Sequence, residues 1–308
     1  MRTLVTGGAG FIGSHIVRRL LELGHAVRVL DDFSTGSRDN LAEVSRDVEI
    51  TAGDVRDADA LERVADGCEV IFHEAAIVSV PYSVEHPMES HAVNVMGTLN
   101  ALEVARRVGA RRVVFASSAA VYGAEPTLPK VESMLPAPIS PYGVEKLTCE
   151  HYLAAWAHLF GVETVALRYF NVFGPRQDPS SPYSGVISVF VDRLLAGRGV
   201  TFFGDGRQTR DFVYAGDVAE ANVLAASARG VSGRVYNVAC GRETSLLDLA
   251  TMIGDAVGRP VVRAFEPARV GDIARSSADI GRARDELGYA PAITVEEGLR
   301  RLVAARRA

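Results

Sequence analysis

The stretch Thr6-Gly7-Gly8-Ala9-Gly10-Phe11-Ile12-Gly13 decides the fold, because it joins an apolar run, residues 3–6, to a segment of helical apolar spacing, residues 11–23. Glycines in this strand–loop–helix context permit a tight turn and let a pyrophosphate come close to the backbone. The amino terminus of the helix then faces the phosphates. Two spacings typical of such loops are present, G-x-G-x-x-G from Gly8 and G-x-x-G-x-x-G from Gly7. The stretch therefore predicts a dinucleotide-binding loop.

A carboxylate at the end of the next predicted strand supports this interpretation. Asp31 lies eighteen residues after Gly13 and directly after the apolar run 26–30, where it can accept hydrogen bonds from the hydroxyls of an adenosine ribose. It would repel a 2′-phosphate, and no Arg directly follows the Asp31-Asp32 pair, so NAD is favoured over NADP. An aspartate that merely caps a turn is the weaker alternative in this complete strand–loop–helix–strand context.

Short β-branched runs alternate with amphipathic segments over the first half of the chain. Strands are predicted at residues 3–6, 26–30, 48–51, 70–73, 112–116 and 162–167, and helices at residues 11–23, 58–65, 91–108 and 142–160. This alternation is typical of an α/β, Rossmann-type doubly wound parallel sheet. After about residue 168 the pattern loosens. We expect an NAD-binding domain over residues 1–168 and mainly a smaller α/β substrate-binding lobe over residues 169–308, with some segments returning to the sheet.

Composition narrows the possible partners. The 308 residues are 48% apolar and 23% charged with a formal charge of −5, and no charge run predicts binding to nucleic acid or a membrane surface. The amino terminus leaves no room for a signal peptide, and no stretch reaches the ~18 apolar residues of a membrane span, so a cytoplasmic location is expected. The three cysteines and seven histidines lack metal-ligand spacing, and no metal is expected.

A second set of candidate residues lies further along the chain. Tyr142 and Lys146 are four residues apart on a predicted helix and so project from one face, with Pro141 suited to its first turn. Ser117 and Ser118 end the fifth predicted strand. A Lys ammonium together with a positive nicotinamide ring would favour the phenolate of Tyr142 and bring its pKa toward working pH. Such a pair is more often a solvated helix face, but its place after a nucleotide-binding unit and a strand-terminal Ser favours a general base.

A series of motifs carries a resemblance over essentially the whole chain. They are residues 6–13, Asp31-Asp32-Phe33-Ser34-Thr35-Gly36, Gly53-Asp54-Val55, His73-Glu74-Ala75-Ala76, Asn94, residues 117–123, Tyr142-Gly143-Val144-Glu145-Lys146, Arg168-Tyr169-Phe170-Asn171-Val172-Phe173-Gly174-Pro175 and Arg210-Asp211-Phe212-Val213. On these motifs the sequence resembles the extended short-chain dehydrogenase/reductase family, in its NAD-dependent epimerase/dehydratase group, and there the UDP-hexose 4-epimerases. The resemblance implies an isomerase of nucleotide sugars with NAD as cofactor.

The resemblance implies roles for individual residues. Ser118 and Tyr142 would hydrogen-bond the reacting sugar hydroxyl and Tyr142 would remove its proton, while Lys146 would hold the nicotinamide ribose and lower the pKa of Tyr142. These three would be the catalytic residues. The implied cofactor-binding set is Gly7, Gly10, Phe11, Ile12, Gly13, Asp31 at the adenosine ribose, Asp32, Ser34, Thr35, Gly36, Asp54 and Val55 at the adenine, Ala75, Ala76 and Asn94 along the central groove, Ser117 on the nicotinamide side, Tyr142, Lys146 and Tyr169.

A UDP-sugar site is likewise implied. Its residues would be Ser118, Tyr142, Asn171, Arg210, Arg269, Asp272 and Ser276. Three of them, Asn171, Arg210 and Arg269, match positions that bind the diphosphate, and guanidinium groups suit phosphate oxygens, although most arginines are solvated surface. Ser276, seven residues after Arg269, matches a position that limits the size of the sugar. Because Ser is small, we expect N-acetylated UDP-hexoses to be accepted besides UDP-glucose and UDP-galactose.

The residues after Ser118 distinguish between reactions on this scaffold. Related dehydratases and decarboxylases carry an acidic residue in the next two positions, whereas this chain has Ala119 and Ala120, which cannot do acid–base work. The expected reaction is 4-epimerisation through a transient 4-keto sugar, with NAD unchanged at the end. The alternatives are a UDP-glucuronate 4-epimerase, a nucleotide-sugar dehydratase, decarboxylase or reductase, and a non-catalytic nucleotide-sensing protein, which would have no need of the base.

A homodimer is also implied, in which the predicted helices 91–108 and 142–160 of two subunits pack as a four-helix bundle. Both helices have apolar faces beyond what one sheet contact needs. Alternatively, these faces simply cover the sheet, and both possibilities stay open at this point.

Overall fold

A parallel sheet is the central element of the structure, a computed structural model that describes residues 1–178, 185–268 and 273–307. The strands are β1 (Arg2–Thr6), β2 (Ala26–Asp31), β3 (Val48–Ala52), β4 (Val70–His73), β5 (Arg112–Ser118), β6 (Glu163–Tyr169), β7 (Asn171–Phe173), β8 (Val200–Phe203), β9 (Thr209–Arg210), β10 (Phe212–Tyr214), β11 (Arg234–Val238), β12 (Thr244–Ser245) and β13 (Arg263–Glu266). Within the described ranges, seven of them form one sheet in the order β11-β6-β5-β4-β1-β2-β3, with all neighbours parallel. The strand order reverses between β1 and β4, which is where a doubly wound sheet binds a dinucleotide.

Helices cover both faces of this sheet. They are α1 (Phe11–Glu22), α2 (Ala58–Ala65), α3 (Val80–Glu85), α4 (Pro87–His91), α5 (Gly97–Val108), α6 (Pro141–Leu159), α7 (Val186–Leu195), α8 (Ala215–Ser227), α9 (Leu246–Val257), α10 (Gly281–Leu287) and α11 (Val295–Arg307), with 3₁₀ helices at Arg38–Val44 and Ala119–Val121 and a π-helix at Ala92–Met96. Helices α2, α5 and α6 pack around Ile71 and Val113, and α1 and α8 pack around the neighbouring Phe72 and Val114. Because successive strand residues face opposite sides, strands covered on both faces are apolar throughout. In the part of the chain that the structure describes, no helix is long and apolar enough to cross a membrane.

The structure confirms the predicted fold class and corrects one predicted helix. All six predicted strands are present, each within two residues of its expected limits. The single helix expected at 91–108 is wrong, because a π-helical turn separates α4 from α5. In this wider turn the carbonyl of Asn94 accepts hydrogen bonds from the Thr98 hydroxyl (2.6 Å) and the Cys149 thiol (3.3 Å). Apolar spacing does not distinguish one π-helical turn from an α-helical turn.

The chain after residue 168 contributes to two packed regions. Strand β11 pairs with β6 and α8 packs on α1, so both belong to the central sheet and its covering helices. Helix α10 packs in the same region. Helices α7, α9 and α11 and strands β7, β8 and β10 surround a second apolar cluster that includes Phe173, Phe190, Leu249 and Leu299. Three short pairs lie outside the main sheet, β7 with β10, β8 with β13, and β9 with β12. The division into two lobes at residue 168 stays a prediction.

Candidate active site

The glycine loop between β1 and α1 runs close to the end of β4. Gly7 has a φ of +66°, and a Cβ atom there would lie 2.8 Å from the amide nitrogen of Ala75. A Cβ atom on Gly13 would lie 2.1 Å from the carbonyl oxygen of Gly7, so both positions require Gly. Gly10 precedes Phe11 and Ile12 without a side-chain cap, and the first turn of α1 carries no acidic residue. Its amide groups and the helix dipole therefore suit an anion such as a pyrophosphate.

Asp31 ends β2 beside this loop and is 6% exposed. Its Oδ2 accepts a hydrogen bond from the Ala9 amide (2.8 Å), and its Oδ1 accepts one from the Phe33 amide (2.9 Å). Burial raises the pKa of Asp31, and these backbone bonds oppose the effect. A Cβ atom on Gly36 would lie 2.7 Å from Oδ1, so a larger residue would crowd the carboxylate. The lone pairs that remain on Asp31 can accept ribose hydroxyls.

The other predicted residues of this segment have local partners. Asp32 accepts hydrogen bonds from the amide (2.9 Å) and hydroxyl (2.7 Å) of Ser34, and Thr35 is exposed beside them. Asn40, which sequence reasoning missed, donates from Nδ2 to the Ala9 carbonyl (2.8 Å) and ties the segment to the glycine loop. Its partner is 31 residues away, and no local pattern marks such a contact.

Two residues predicted at the adenine follow β3. Val55 is buried against Gly97, where a Cβ atom would lie 2.7 Å from Val55 Cγ2. Asp54 pairs with Arg56, whose Nη2 lies 2.5 Å from Oδ2, and the hydrogen bond from Arg56 lowers the pKa of Asp54. The carboxylate of Asp54 is therefore ionised near neutral pH, and its contact with the adenine stays a prediction.

Asn94 supports the segment that follows β4. Its Oδ1 accepts from the Ile77 amide (2.8 Å), and its Nδ2 donates to the Ile77 carbonyl (2.9 Å) and to Glu145 Oε2 on α6 (2.6 Å). Ala75 and Ala76 are half-buried directly before Ile77. The amide of Asn94 is thus occupied in holding this segment against α6, and a direct cofactor contact stays a prediction.

Tyr142 and Lys146 lie in the first turns of α6 at the carboxyl edge of the sheet. The Ser140 hydroxyl accepts a hydrogen bond from the Gly143 amide (3.1 Å) and so caps this helix. Lys146 Nζ donates to the carbonyl of Ala116 on β5 (2.7 Å) and lies 5.8 Å from the centroid of the Tyr142 ring. Both side chains are buried. The structure therefore brings the predicted pair together and removes it from bulk water.

Ser118 ends β5, and its hydroxyl accepts a hydrogen bond from the Ala120 amide (3.1 Å). Burial raises the pKa of Tyr142 to about 12, and the nearby Ser118 side chain opposes this rise. Burial also lowers the pKa of Lys146. The sequence predicted that Lys146 and a positive nicotinamide ring together bring the pKa of Tyr142 toward working pH. In the protein alone the pKa of Tyr142 is raised, because desolvation of the phenolate outweighs the interactions that favour it. Any lowering of this pKa would therefore have to come from the positive charge of the cofactor.

The Ser117 hydroxyl belongs to a buried ion pair. It donates to Glu150 Oε1 (2.6 Å), and Arg168 holds the same carboxylate through Nε (2.9 Å) and Nη2 (2.7 Å). Because its hydroxyl is occupied, Ser117 would contact the nicotinamide side of the cofactor through its backbone atoms. Sequence reasoning missed Glu150, whose partners are 18 and 33 residues away.

Tyr169, predicted at the cofactor, ends β6 with its hydroxyl in a polar chain. The hydroxyl donates to Glu74 Oε1 (3.0 Å) and accepts from Asn222 Nδ2 on α8 (2.7 Å). Neither Glu74 nor Asn222 received a role from the sequence, because only the fold brings the residue after β4, the end of β6 and helix α8 together.

Two predicted diphosphate residues lie on short strands that belong to different strand pairs. Asn171 on β7 donates from its amide (3.2 Å) and from Nδ2 (3.3 Å) to the carbonyl of Asp211. Arg210 on β9 donates from Nη1 to the carbonyl of Ile273 (2.6 Å). Burial raises the pKa of Asp211 to about 6, although amide hydrogen bonds oppose this rise. The structure thus brings Asn171 and Arg210 into one region around Asp211.

Ser276 lies beside this region. It is half-buried, and its amide donates to the carbonyl of Thr209 (3.2 Å), the residue before Arg210. Arg269 and Asp272, the other predicted substrate residues, lie outside the described residues.

The glycine loop, Asp31 and the set Ser118, Tyr142 and Lys146 share the carboxyl edge of one parallel sheet. This arrangement is that of an α/β enzyme that binds a dinucleotide. Proton transfer at Tyr142 stays a prediction.

Comparison with known proteins identifies the family. The model of the NAD dependent epimerase/dehydratase family matches residues 3–239, and the chain belongs to this family. A UDP-glucose 4-epimerase of Mycolicibacterium smegmatis is 45% identical over 307 residues, covering 98% of this chain and 97% of that protein. The structure of UDP-glucose 4-epimerase from Thermus thermophilus in complex with NAD is 39% identical, with a TM-score of 0.90, and covers 100% of this chain and 99% of its own. That of UDP-N-acetylglucosamine 4-epimerase from Methanobrevibacter ruminantium, in complex with UDP-N-acetylmuramic acid, is 38% identical, with a TM-score of 0.95, over 99% of this chain and 98% of its own. The predicted family, fold class and NAD dependence are confirmed.

Proposed function

We propose that this protein interconverts UDP-glucose and UDP-galactose by NAD-dependent epimerisation at carbon 4 of the sugar. The observation that carries the proposal is the buried Tyr142 on α6, accompanied by Lys146 and by Ser118 at the end of β5, with Ala119 and Ala120 in the 3₁₀ helix that follows Ser118. Dehydration or decarboxylation would need a carboxyl group after Ser118, and Ala supplies none. The site therefore favours oxidation and re-reduction of a hydroxyl-bearing carbon.

The residues present fit NAD. The uncapped amino end of α1 would hold the pyrophosphate, Asp31 the adenosine ribose and Lys146 the nicotinamide ribose. Asp31 opposes the 2′-phosphate of NADP. When bound, NAD supplies a hydride acceptor that afterwards serves as a hydride donor.

Tyr142 is the group that moves the proton. In the proposed reaction its phenolate takes the proton of the 4-hydroxyl and returns a proton to the same oxygen after the 4-keto sugar has presented its opposite face. Ser118 hydrogen-bonds that sugar oxygen. Lys146, fixed by the Ala116 carbonyl, places a positive charge beside the phenolate. Burial of the pair keeps water away from the ketone.

The substrate region supports a nucleotide diphosphate with room at the sugar. Asn171, Arg210 and Arg269 would bind the diphosphate, and Asp272 would belong to the same substrate-binding set. The small Ser276 leaves space for an N-acetyl group, so UDP-N-acetylglucosamine and UDP-N-acetylgalactosamine are proposed as further substrates. The relative from Methanobrevibacter ruminantium, named a UDP-N-acetylglucosamine 4-epimerase, supports this extension.

The function is tested by incubating the purified protein, without added cofactor, with UDP-galactose, UDP-N-acetylgalactosamine or UDP-galacturonate and separating the nucleotide sugars by chromatography. Conversion of UDP-galactose and UDP-N-acetylgalactosamine to their 4-epimers is expected. Conversion of UDP-galacturonate alone would instead indicate the uronate epimerase. If all three stay unchanged even after NAD is added, the epimerase assignment is wrong, and net consumption of NAD(P)H would identify a reductase.

A homodimer is the proposed assembly. Apolar side chains on α6 and just after it are open to solvent in the single chain, with Leu159 66% and Phe160 48% exposed, and the Trp156 ring packs 5.0 Å from that of Phe160. Isolated apolar residues are ordinary on a surface, but a cluster on one helix end fits a self-association face. Light scattering should give twice the chain mass, and Leu159→Glu should reduce it to the monomer mass, while Val262→Glu, at an exposed site elsewhere, should not.

A further inference from the structure

Glu74 occupies a fixed place at the carboxyl edge of the sheet, directly after β4. Its amide donates to the carbonyl of Thr6 at the end of β1 (3.2 Å). A Cβ atom on Gly7 would lie 3.1 Å from the Glu74 carbonyl carbon, so the glycine loop packs directly against this backbone. The residue is half-buried. Glu74 is therefore a carboxyl group held by the same backbone that shapes the cofactor loop.

A directed hydrogen-bond chain holds the carboxyl group. Asn222 Nδ2 donates to the hydroxyl oxygen of Tyr169 (2.7 Å) and to the carbonyl of Val218 (2.9 Å). Because an amide N–H can only donate, the single proton of the Tyr169 hydroxyl is directed to Glu74 Oε1 (3.0 Å). Asn222 is buried within α8, and Tyr169 is buried at the end of β6. Strand β6 and helix α8 thus present a hydrogen-bond donor, the Tyr169 hydroxyl, to the Glu74 carboxylate.

The charges around Glu74 are those of the proton-transfer pair. Lys146 lies close to it, because its Nζ binds the carbonyl of Ala116 on β5, and β5 pairs with β4 at His73, the residue before Glu74. Tyr142 lies one turn before Lys146 on α6, Tyr169 binds Glu74 from β6, and α8 contributes the neutral Asn222. Burial raises the pKa of Glu74 to about 7, and the Tyr169 hydrogen bond and the Lys146 charge oppose this rise. An ionised Glu74 in turn raises the pKa of Tyr142 and of Lys146. A neutral Glu74 removes both effects.

We propose that Glu74, held by Tyr169 and Asn222, is a positioning residue whose protonation state sets the charge balance of Tyr142 and Lys146. Protonated Glu74 leaves the phenolate of Tyr142 without a negative neighbour at this edge of the sheet. Ionised Glu74 strengthens the charge of Lys146 and disfavours the phenolate. For its catalytic consequence, this inference rests on the proposed function.

The direct test is a pH titration of the purified protein labelled with ¹³C at the glutamate carboxyl carbons, followed by NMR. We expect one glutamate to titrate near pH 7 and its signal to be absent from Glu74→Gln. Lys146→Met and Tyr169→Phe each remove a group that favours ionised Glu74, so both should move this titration upward by at least about half a pH unit. The Glu85→Gln variant, at an exposed site on α3, should retain it unchanged. If no glutamate titrates above pH 6, or if Lys146→Met leaves the titration in place, the proposal is wrong.

The second readout is the pH profile of sugar turnover. The wild type should show an inflection near pH 7 in kcat that Glu74→Gln lacks, whereas a residue with a merely structural role would change the height of the profile and keep its shape. An inflection retained in a folded Glu74→Gln protein overturns the inference. The NMR titration needs no substrate, so a failed epimerase assay beside the expected NMR shifts would contradict the proposed function and leave the coupling of Glu74 to Lys146 established.

Discussion

The cofactor loop and the diphosphate region are built in different ways. Around the loop, Asp31 reaches back 22 residues to the amide of Ala9, and the intervening strand, helix and glycines are readable in order along the chain. Around the diphosphate region, Arg210 contacts the carbonyl of Ile273 63 residues away, and Asp211 accepts from the amide of Ala278 67 residues away. A binding site formed by consecutive elements is encoded by local patterns, whereas one formed across the fold depends on tertiary packing.

The proton-transfer pair stands between these two cases. Tyr142 and Lys146 share one helix face, which spacing alone predicts, but the residues beside them come from another element, strand β5. Lys146 binds Ala116 on β5, and burial beneath the sheet edge controls the pKa of Tyr142. The spacing of the pair is thus encoded locally in the sequence, whereas the pKa of Tyr142 depends on packing along the whole carboxyl edge of the sheet.

The largest expected effect is that of replacing Tyr142, and it tests whether this residue transfers the proton. Tyr142→Phe removes the only atom proposed to exchange the proton, and turnover of UDP-galactose should fall about 10²- to 10⁴-fold. NAD content, measured on the purified variant, should be retained, because the glycine loop and Asp31 are unchanged. Tyr152→Phe, a partly exposed tyrosine on the same helix, is the matched control and should keep normal turnover. Near-normal turnover of Tyr142→Phe would contradict the mechanism.

Sequence reasoning reached further in the cofactor half than in the substrate region. The six strands, the glycine loop and Asp31 follow from periodicity and from motifs whose parts are close in sequence. The ion pair of Glu150 with Arg168, the Asn94 support of the segment after β4, and the chain from Asn222 to Glu74 were missed, because each joins elements that only the fold brings together. The raised pKa of Tyr142 was missed for the same reason, since desolvation depends on packing from all sides.

Asp31 tests the locally encoded site. Asp31→Ala removes the acceptor for the ribose and leaves the Ala9 and Phe33 amides without their partner, so NAD affinity should fall about 10- to 100-fold. Titration of the NAD-free protein with NAD measures this. Asp32→Asn, at the exposed neighbouring carboxylate, should bind NAD within about twofold of the wild type. Equal losses in both variants would show that the segment as a whole, and not the Asp31 carboxylate, holds the ribose.

Arg210 tests the site assembled across the fold. Replacing a guanidinium that binds a diphosphate by Lys loses the bidentate geometry, so KM for UDP-galactose should rise about tenfold with little change in kcat. Arg207→Lys, at an 83% exposed side chain three residues earlier, is the control. A fall in kcat with KM unchanged would place Arg210 in the chemistry and not in substrate binding.

Ser276 tests whether one side chain of the substrate region limits the size of the sugar. Ser276→Tyr should reduce the turnover of UDP-N-acetylgalactosamine at least about tenfold more than that of UDP-galactose, because only the acetylated sugar needs the space. The ratio of the two kcat/KM values is the measurement, and Ser276→Ala should leave this ratio unchanged. Equal loss of both activities would indicate that residue 276 supports the backbone beside Thr209 and does not limit the sugar.

The smallest expected effect concerns stability and the charge of Glu74. Its pKa in the folded protein, about 7, is raised above the ordinary 4.5, so the folded state binds the proton more tightly than the unfolded state. The stability that this proton contributes is complete below pH 4.5 and is lost as the pH rises to about 7. Glu74→Gln has no such loss, so its free energy of unfolding relative to the wild type should increase over this window and level off above it. Because Glu74 is partly open to solvent, the difference at pH 8 should be only about 1 to 2 kcal/mol.

Urea unfolding curves of the wild type and Glu74→Gln at pH 5 and pH 8 measure this difference. Asp211, whose pKa is also raised, titrates in both proteins, so its contribution cancels in the comparison. A difference that is the same at both pH values would show that Glu74 does not change its protonation in this range.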